Sequence, residues 1–310
     1  MGAGAIGSVI GGLLAQAGNQ VTLVGRAAHM QAIDRQGLVI GGIWGDHRVH
    51  GLATATRVSE LGPSGPFDVV FLCVKSYDTS SALKDMGPCI GTETLLVSLQ
   101  NGLGNLEAVA GLVGPERAVA GRVIFGADVL NPGHVAVTVF GGDVIFGSPN
   151  NRVPARRIDA LVAAFKAAGI PAQPTDNIAA HIWGKVLYNG SLNALSGILD
   201  VSYGKLLETE ATRTLMSVLI AEIFTLARAE EAPLLWPGPD EYRRVLFEEL
   251  IPATAAHYSS MHADLRAGKR TEIDALNGAI VRLGRRHGLH TPVNECLTLL
   301  IKAAEGHHRV

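Results

Sequence analysis

The chain opens with Gly2-Ala3-Gly4-Ala5-Ile6-Gly7, runs on through the small and branched apolar residues Ser8 to Ala17, and halts at Gly18-Asn19. This is a G-x-G-x-x-G turn feeding a helix, closed by a glycine of the kind that ends helices. A strand is expected next, over Gln20–Val24. In a βαβ unit that binds a dinucleotide, the glycines permit a tight turn and close backbone approach, and the helix N-terminus faces the pyrophosphate. Gly2, Gly4, Ala5, Ile6 and Gly7 are therefore the candidate phosphate-binding residues. An apolar strand belongs in front of such a turn, and here only Met1 stands there. The expectation is that Met1 is an internal methionine of that strand, with upstream in-frame codons for the rest. The first strand as written reads as truncated, which would leave its neighbours partly unpaired and the turn unanchored on one side. A signal peptide over residues 1–17 fits less well, because five glycines interrupt the apolar stretch and no Lys or Arg precedes Arg26.

Outward from this turn the chain reads as strands at Gly37–Ile40, Phe67–Val74, Thr94–Leu99, Ala118–Phe125, His134–Val139, Val144–Phe146 and Ile170–Ala172. Within Phe67–Val74 the run Val69–Val74 is apolar without alternation, as in a parallel strand buried on both faces. Apolar spacing predicts a helix over Arg156–Ala168, then helices over Ile178–Leu195, Thr212–Glu231, Asp240–Asp264, Glu272–His287 and Val293–Glu305. The fold class is α/β. A Rossmann-type doubly wound domain over residues 1–176 is followed by an all-helical domain over 177–310, with the active site expected between them.

Composition agrees. The 310 residues suffice for two domains, and 37 glycines with 47% hydrophobic and 17% charged residues suit a compact α/β enzyme. A net charge of −2 carries no electrostatic footprint for nucleic acid or an anionic membrane. Cys73, Cys89 and Cys296 are odd in number and far apart, so neither a disulfide framework nor a zinc knuckle is indicated, and a cytoplasmic setting is expected. Cys73 lies inside an apolar run and reads as a buried hydrophobe. The histidines show no metal-ligand spacing.

Four places carry chemistry. At the end of the second strand, where NAD-binding proteins place an acid, the chain reads Val24-Gly25-Arg26. An arginine beside a glycine there suits the 2′-phosphate of NADPH, the alternative being a solvated surface arginine. Lys75 and Asn101-Gly102 each follow an apolar strand at the edge where open α/β sheets bind ligands, although Asn-Gly is also a common turn. Lys185, Asn189 and Asn193 recur every four residues in an otherwise apolar segment, so they share one helix face. That stripe serves either interdomain packing or a cleft, in which a desolvated lysine would protonate a forming alkoxide. Finally, Ser260 precedes Gly268-Lys269-Arg270-Thr271-Glu272-Ile273-Asp274 and Asn277-Gly278, where Thr271 could simply start a helix with acids in its first turn.

Taken together, these residues resemble the ketopantoate reductase family, the NADPH-dependent 2-dehydropantoate 2-reductases of pantothenate synthesis. The likeness spans essentially the whole chain and is most specific in Trp183-x-Lys185-x-x-x-Asn189-x-x-x-Asn193 and in Ser260 through Gly278. It implies Lys185 as general acid, Glu272 orienting substrate and catalytic groups and contacting the cofactor, and Ser260 holding the substrate carboxylate. It implies Asn189 and Asn193 at the substrate's polar end, Asn101 by the nicotinamide, and Arg26 and Lys75 on the adenosine-phosphate side of NADPH. His257 departs from the asparagine the family often has there, which leaves another 2-keto acid open as substrate beside 2-dehydropantoate. Two other readings stay open: a reductase of the β-hydroxyacid dehydrogenase type and a non-catalytic NADPH sensor. Apolar helix faces in 205–255 could pack within the chain or between copies of it, so a homodimer also stays open.

Overall fold

The structure, a computed structural model, describes residues 1–61 and 65–307. The chain forms two compact units: Met1–Gln100 with Asn105–Ile178, and Asn101–Gly104 with the chain from Ala179 onward.

In the first unit, α1 (Ala5–Gln16) leads to β1 (Thr22–Val24), α2 (Ala27–Gln36), β2 (Leu38–Gly42), β3 (His47–Val49) and β4 (Ala53–Ala55). Next come β5 (Val69–Leu72), α3 (Thr79–Asp85), β6 (Leu95–Ser98), α4 (Asn105–Val113) and β7 (Ala118–Arg122). The unit closes with β8 (Phe125–Asn131), β9 (His134–Phe140), β10 (Val144–Gly147), α5 (Ala155–Ala167) and β11 (Ala172–Pro174). A five-stranded sheet has the order β11-β10-β7-β6-β5, with β5, β6 and β7 parallel. Val70 and Leu72 pack with Leu83 and Met86 on one face, while Val69 and Phe71 pack toward Phe146 and Phe165 on the other. Both faces are covered, as the unbroken apolar run requires.

The short segment ahead of the glycine turn is bound on both sides. β1 pairs in parallel with β4 in a sheet of two, and residues 1–3 stand between β1 and β5. The Met1 amino group donates to the Phe71 carbonyl at 2.7 Å, and Cys73 N–H donates to Met1 O at 2.8 Å. On the other side, Gly2 N–H and Ala3 N–H both donate to Val24 O at 2.9 Å. The turn is therefore anchored on both sides, contrary to the expectation from sequence, because three residues suffice to reach both neighbours.

Several other expectations are corrected. Ala118–Phe125 is not one strand: β7 ends at Arg122, and β8 departs to pair with β9 in a separate sheet of order β3-β2-β9-β8. Val123 and Phe125 stay buried through the change of sheet, so the apolar pattern does not reveal it. β3 and β4, three residues each, were not anticipated. The last strand starts at Ala172 rather than Ile170, because Ile170 N–H still bonds Phe165 O at the end of α5.

The second unit is helical: α6 (Ile178–Leu199, its first residue grouped with the first unit), α7 (Glu210–Ala229), α8 (Pro239–Val245), α9 (Ile251–Ala253), α10 (Ser260–Arg266), α11 (Asn277–Arg286) and α12 (Pro292–His307). The expected helix over Asp240–Asp264 is broken. A π-helical turn over Leu246–Leu250 precedes Pro252, and an irregular segment follows before α10. The expected helix over Glu272–His287 begins instead as a 3-10 turn, Ile273–Ala275, ahead of α11. Trp183, Leu187, Ile220, Phe224, Tyr242 and Ile280 lie at the centre of its core. Among the described residues, no helix is long and apolar enough to cross a membrane, and no group of His, Cys, Asp or Glu could hold a metal ion.

Candidate active site

In the first unit the candidate site is made of backbone. Gly2 has φ +89°, and a Cβ there would lie 2.5 Å from Val74 N, so only glycine fits. A Cβ at Gly7 would lie 2.5 Å from Gly2 O, whereas one at Gly4 would meet nothing within 4 Å of the protein. Gly4 is the N-cap of the 12-residue α1, with no side chain capping it and no acid in the first turn. Uncapped amides at a helix N-terminus beside an open approach suit a pyrophosphate.

Gly25 explains the missing acid: a side chain there would come within 3.1 Å of Ala3 and of the Met30 methyl. The adjacent Arg26 is exposed and caps α2, and its side chain makes no hydrogen bond or ion pair among the described residues. Its guanidinium is available to an external anion. Lys75 follows β5 and precedes the 3-10 turn Ser76–Asp78. That turn is tied to the neighbouring strand by a network the sequence reading missed. Gln100 Nε2 donates to Val74 O at 2.9 Å and to Thr79 Oγ1 at 2.7 Å, and Thr79 in turn donates to Asn105 Oδ1 at 3.0 Å. These bonds hold the carboxyl edge of β5 and β6, where a cofactor would lie. Cys73 is half-buried, and desolvation pushes its thiol up to about 11, partly offset by the nearby Met1 ammonium; it is no nucleophile at neutral pH.

In the second unit the candidate site is made of side chains. α6 carries Lys185, Asn189 and Asn193 along one face, the lysine half-buried and the two amides only 8% and 3% exposed. The Asn189 side chain makes no hydrogen bond to the described residues. Asn193 is held twice: its Oδ1 accepts from the Tyr203 hydroxyl at 2.7 Å, and its main-chain oxygen accepts from Ser259 Oγ at 3.1 Å. Ser259 is fully buried and caps α10 by accepting from His262 N–H. The predicted Ser260 is the next residue, the first of α10, and is exposed.

Asn101 and Glu272, 171 residues apart, meet: Asn101 Nδ2 donates to Glu272 Oε2 at 3.2 Å. The Asn-Gly step does more than turn the chain. Gly102, at φ +85°, lies against Ala275 so closely that a Cβ would be 2.3 Å from its carbonyl, and Leu103 N–H bonds that same oxygen. Glu272 is 7% exposed, and its loop is fixed by the bond from Thr271 N–H to Glu305 Oε1 at 2.7 Å. Asn277 braces α6 by donating to Gly190 O and to Asn294 Oδ1. A carboxylate–amide pair and a helix face bearing a lysine and two amides are groups able to bind a small polar substrate and deliver a proton to it. Tyr203, Ser259 and Asn294 were not anticipated; each acts through a hydrogen bond to a residue distant in sequence, for which no spacing signal exists.

Comparison with known proteins shows the family. Residues 1–151 match the model of "Ketopantoate reductase PanE/ApbA" and residues 177–305 that of its C-terminal part. The chain is 39% identical to the 2-dehydropantoate 2-reductase of Aquifex aeolicus, over 98% of this chain and 96% of that one. Its fold superposes on a PanE/ApbA family ketopantoate reductase from Ralstonia eutropha with TM-score 0.88 and 34% identity, covering 100% and 98% of the two chains. It also superposes on D-mandelate dehydrogenase, solved with NADH and anilino(oxo)acetate, with TM-score 0.89 and 30% identity over 100% and 98%. The glycine turn, the α6 stripe and the Asn101–Glu272 pair thus lie in a chain that belongs to the ketopantoate reductase family, an oxidoreductase of the NAD(P)-dependent kind.

Proposed function

We propose that the protein reduces 2-dehydropantoate to D-pantoate with NADPH, a step of pantothenate and coenzyme A biosynthesis. The observation that carries this reading is the α6 stripe, in which the side chain of Asn189, a residue only 8% exposed, has no hydrogen-bond partner among the described residues and lies one turn from Lys185. An amide in a largely buried residue that still opens to solvent and has no partner among the described residues suits a polar ligand better than packing alone.

Gly2, Gly4, Ala5, Ile6 and Gly7 hold the pyrophosphate on the α1 amides, and Arg26 with Lys75 takes the adenosine-phosphate side. When bound, NADPH supplies the hydride that the keto carbon accepts. Lys185 stabilises the negative charge growing on the keto oxygen and then gives it a proton from Nζ. Glu272 orients Asn101 and the substrate, Asn189 and Asn193 bind the substrate's polar end, and Ser260 binds its carboxylate. The first unit serves as the NADP-binding domain and the second as the substrate domain.

The preference for NADPH rests on Gly25 and Arg26. Arg26→Ala is expected to raise the KM for NADPH by about tenfold or more while leaving the KM for NADH unchanged. An equal effect on both cofactors would refute the assignment. The likeness to D-mandelate dehydrogenase favours a second reading, an aryl 2-keto acid as substrate. Steady-state rates with 2-dehydropantoate and with phenylglyoxylate decide between them: selective turnover of the first supports our reading, and selective turnover of the second replaces it.

A further inference from the structure

The side chain that fixes which way Asn193 faces is Tyr203, in the irregular segment after α6. Tyr203 is 2% exposed, and its ring stands edge-on to Tyr188 and to His257, with centroids 5.7 Å and 5.2 Å away. Its backbone is pinned as well: Tyr203 N–H donates to His257 O and Gly204 N–H to Ala255 O, both at 2.9 Å. The hydroxyl cannot wander, and among the described residues Asn193 Oδ1 is the acceptor it finds, at 2.7 Å. Burial pushes this phenol well above its ordinary range, so it stays protonated and donating at working pH.

A primary amide could turn either end toward a neighbour, because χ2 of asparagine is close to two-fold. Were Asn193 turned over, its NH2 would face the phenol, and the buried Tyr203 O–H would be left without an acceptor. We propose that Tyr203 is a positioning residue: by donating to Asn193 Oδ1 it commits Nδ2 of Asn193 to the substrate, so the site selects 2-keto acids that place an acceptor oxygen, the 4-hydroxyl of 2-dehydropantoate, at that amide. The inference rests on the functional reading above and adds to it the source of selectivity for a hydroxylated substrate.

The test uses two substrates that differ only in that hydroxyl, 2-dehydropantoate and 3,3-dimethyl-2-oxobutanoate, with the full chain and NADPH. Tyr203→Phe keeps the ring contacts and removes the donor. It is expected to lower kcat/KM for 2-dehydropantoate by about tenfold, mainly through KM, and to leave the deoxy analogue unchanged, so the wild-type preference shrinks by the same factor. Asn193→Asp, which still accepts from Tyr203 but offers no N–H, is expected to erase the preference too and serves if Tyr203→Phe folds poorly. Equal losses on both substrates would mean a merely structural role and would overturn the inference, as would a preference that survives either substitution. A wild-type enzyme that turns over phenylglyoxylate but neither of these two would overturn the functional reading and the inference with it.

Discussion

The two units of this protein build their halves of the chemistry from different materials. The first offers backbone: uncapped amides at the start of α1, in a turn too tight for a Cβ at Gly2 or Gly7 and open at Gly4. The second offers side chains: Lys185, Asn189 and Asn193 on α6, with Asn193 held by Tyr203, and Glu272 on a loop, bonded by Asn101. Substitution in the first should therefore act through shape, and in the second through chemistry with the fold largely intact. The difference also decides what a sequence can reveal. A glycine turn is written in consecutive residues, whereas a positioned side chain depends on partners that the linear order hides.

The largest effect should come from the second unit. Lys185→Ala removes the proposed general acid, and the expected loss in kcat is about a thousandfold, within the range for proton transfer by a positioned group. NADPH affinity, measured by titration of protein fluorescence, should stay within about twofold of wild type, since the pyrophosphate rests on the first unit. A variant that keeps its turnover would remove Lys185 from the chemistry. One that loses cofactor affinity as well would blur the division between backbone and side-chain sites.

A paired substitution in the turn probes the other half. Gly7→Ala drives a methyl group onto Gly2 O and should destabilise the protein by roughly 1–3 kcal/mol, the usual cost of overpacking. Gly4→Ala meets no protein atom and has φ −88°, open to any residue, so its stability should stay within about 0.5 kcal/mol of wild type. Its methyl instead occupies the approach to the α1 amides, so NADPH should bind about tenfold more weakly. Denaturant unfolding and cofactor titration on the two variants separate these outcomes. Similar stability in both would show that the crowding at Gly7 relaxes easily, and undiminished NADPH affinity in Gly4→Ala would place the pyrophosphate elsewhere.

Much of this architecture was legible in advance. The uninterrupted run at Val69–Leu72 announced a strand buried on both faces, and polar residues at a four-residue period in an apolar stretch announced the α6 stripe. What escaped was whatever local pattern does not encode. The chain passes from one sheet to another at Val123–Ile124 without losing a buried apolar position, and β3 and β4 are too short to show alternation. The break after α8 arises where a π-helical turn meets Pro252, inside a sequence whose apolar spacing suits one helix. Tyr203 was invisible for a related reason. It follows Asp200, whose φ of +56° ends the run of α6, and a tyrosine in such a segment carries no sign of the amide it will meet.

The smallest predicted effect returns to the first unit and to a side chain that serves the backbone. His29 on α2 is 7% exposed; its Nδ1 accepts from Gly133 N–H at 2.9 Å, which leaves Nε2–H to donate to Ser8 Oγ on α1 at 3.0 Å. Both ring nitrogens are thus used in the neutral form, and burial holds the pKa below its ordinary value. The sign follows from proton counting. Above about pH 6.5 the ring is neutral in both folded and unfolded chains and its contribution to stability is complete. As pH falls below that value the unfolded chain binds a proton more readily than the folded one, and stability declines until the folded ring also titrates. Protonation would turn Nδ1 into a donor facing the Gly133 donor and break the link between α2 and the start of β9. The thermal midpoint of the wild type should therefore drop on going from pH 7.5 to pH 5.5 by more than that of His29→Gln, which has no ring to titrate. An equal drop in both would mean that the acid sensitivity of this unit lies elsewhere, and that α1 is held beneath its glycine turn by packing alone.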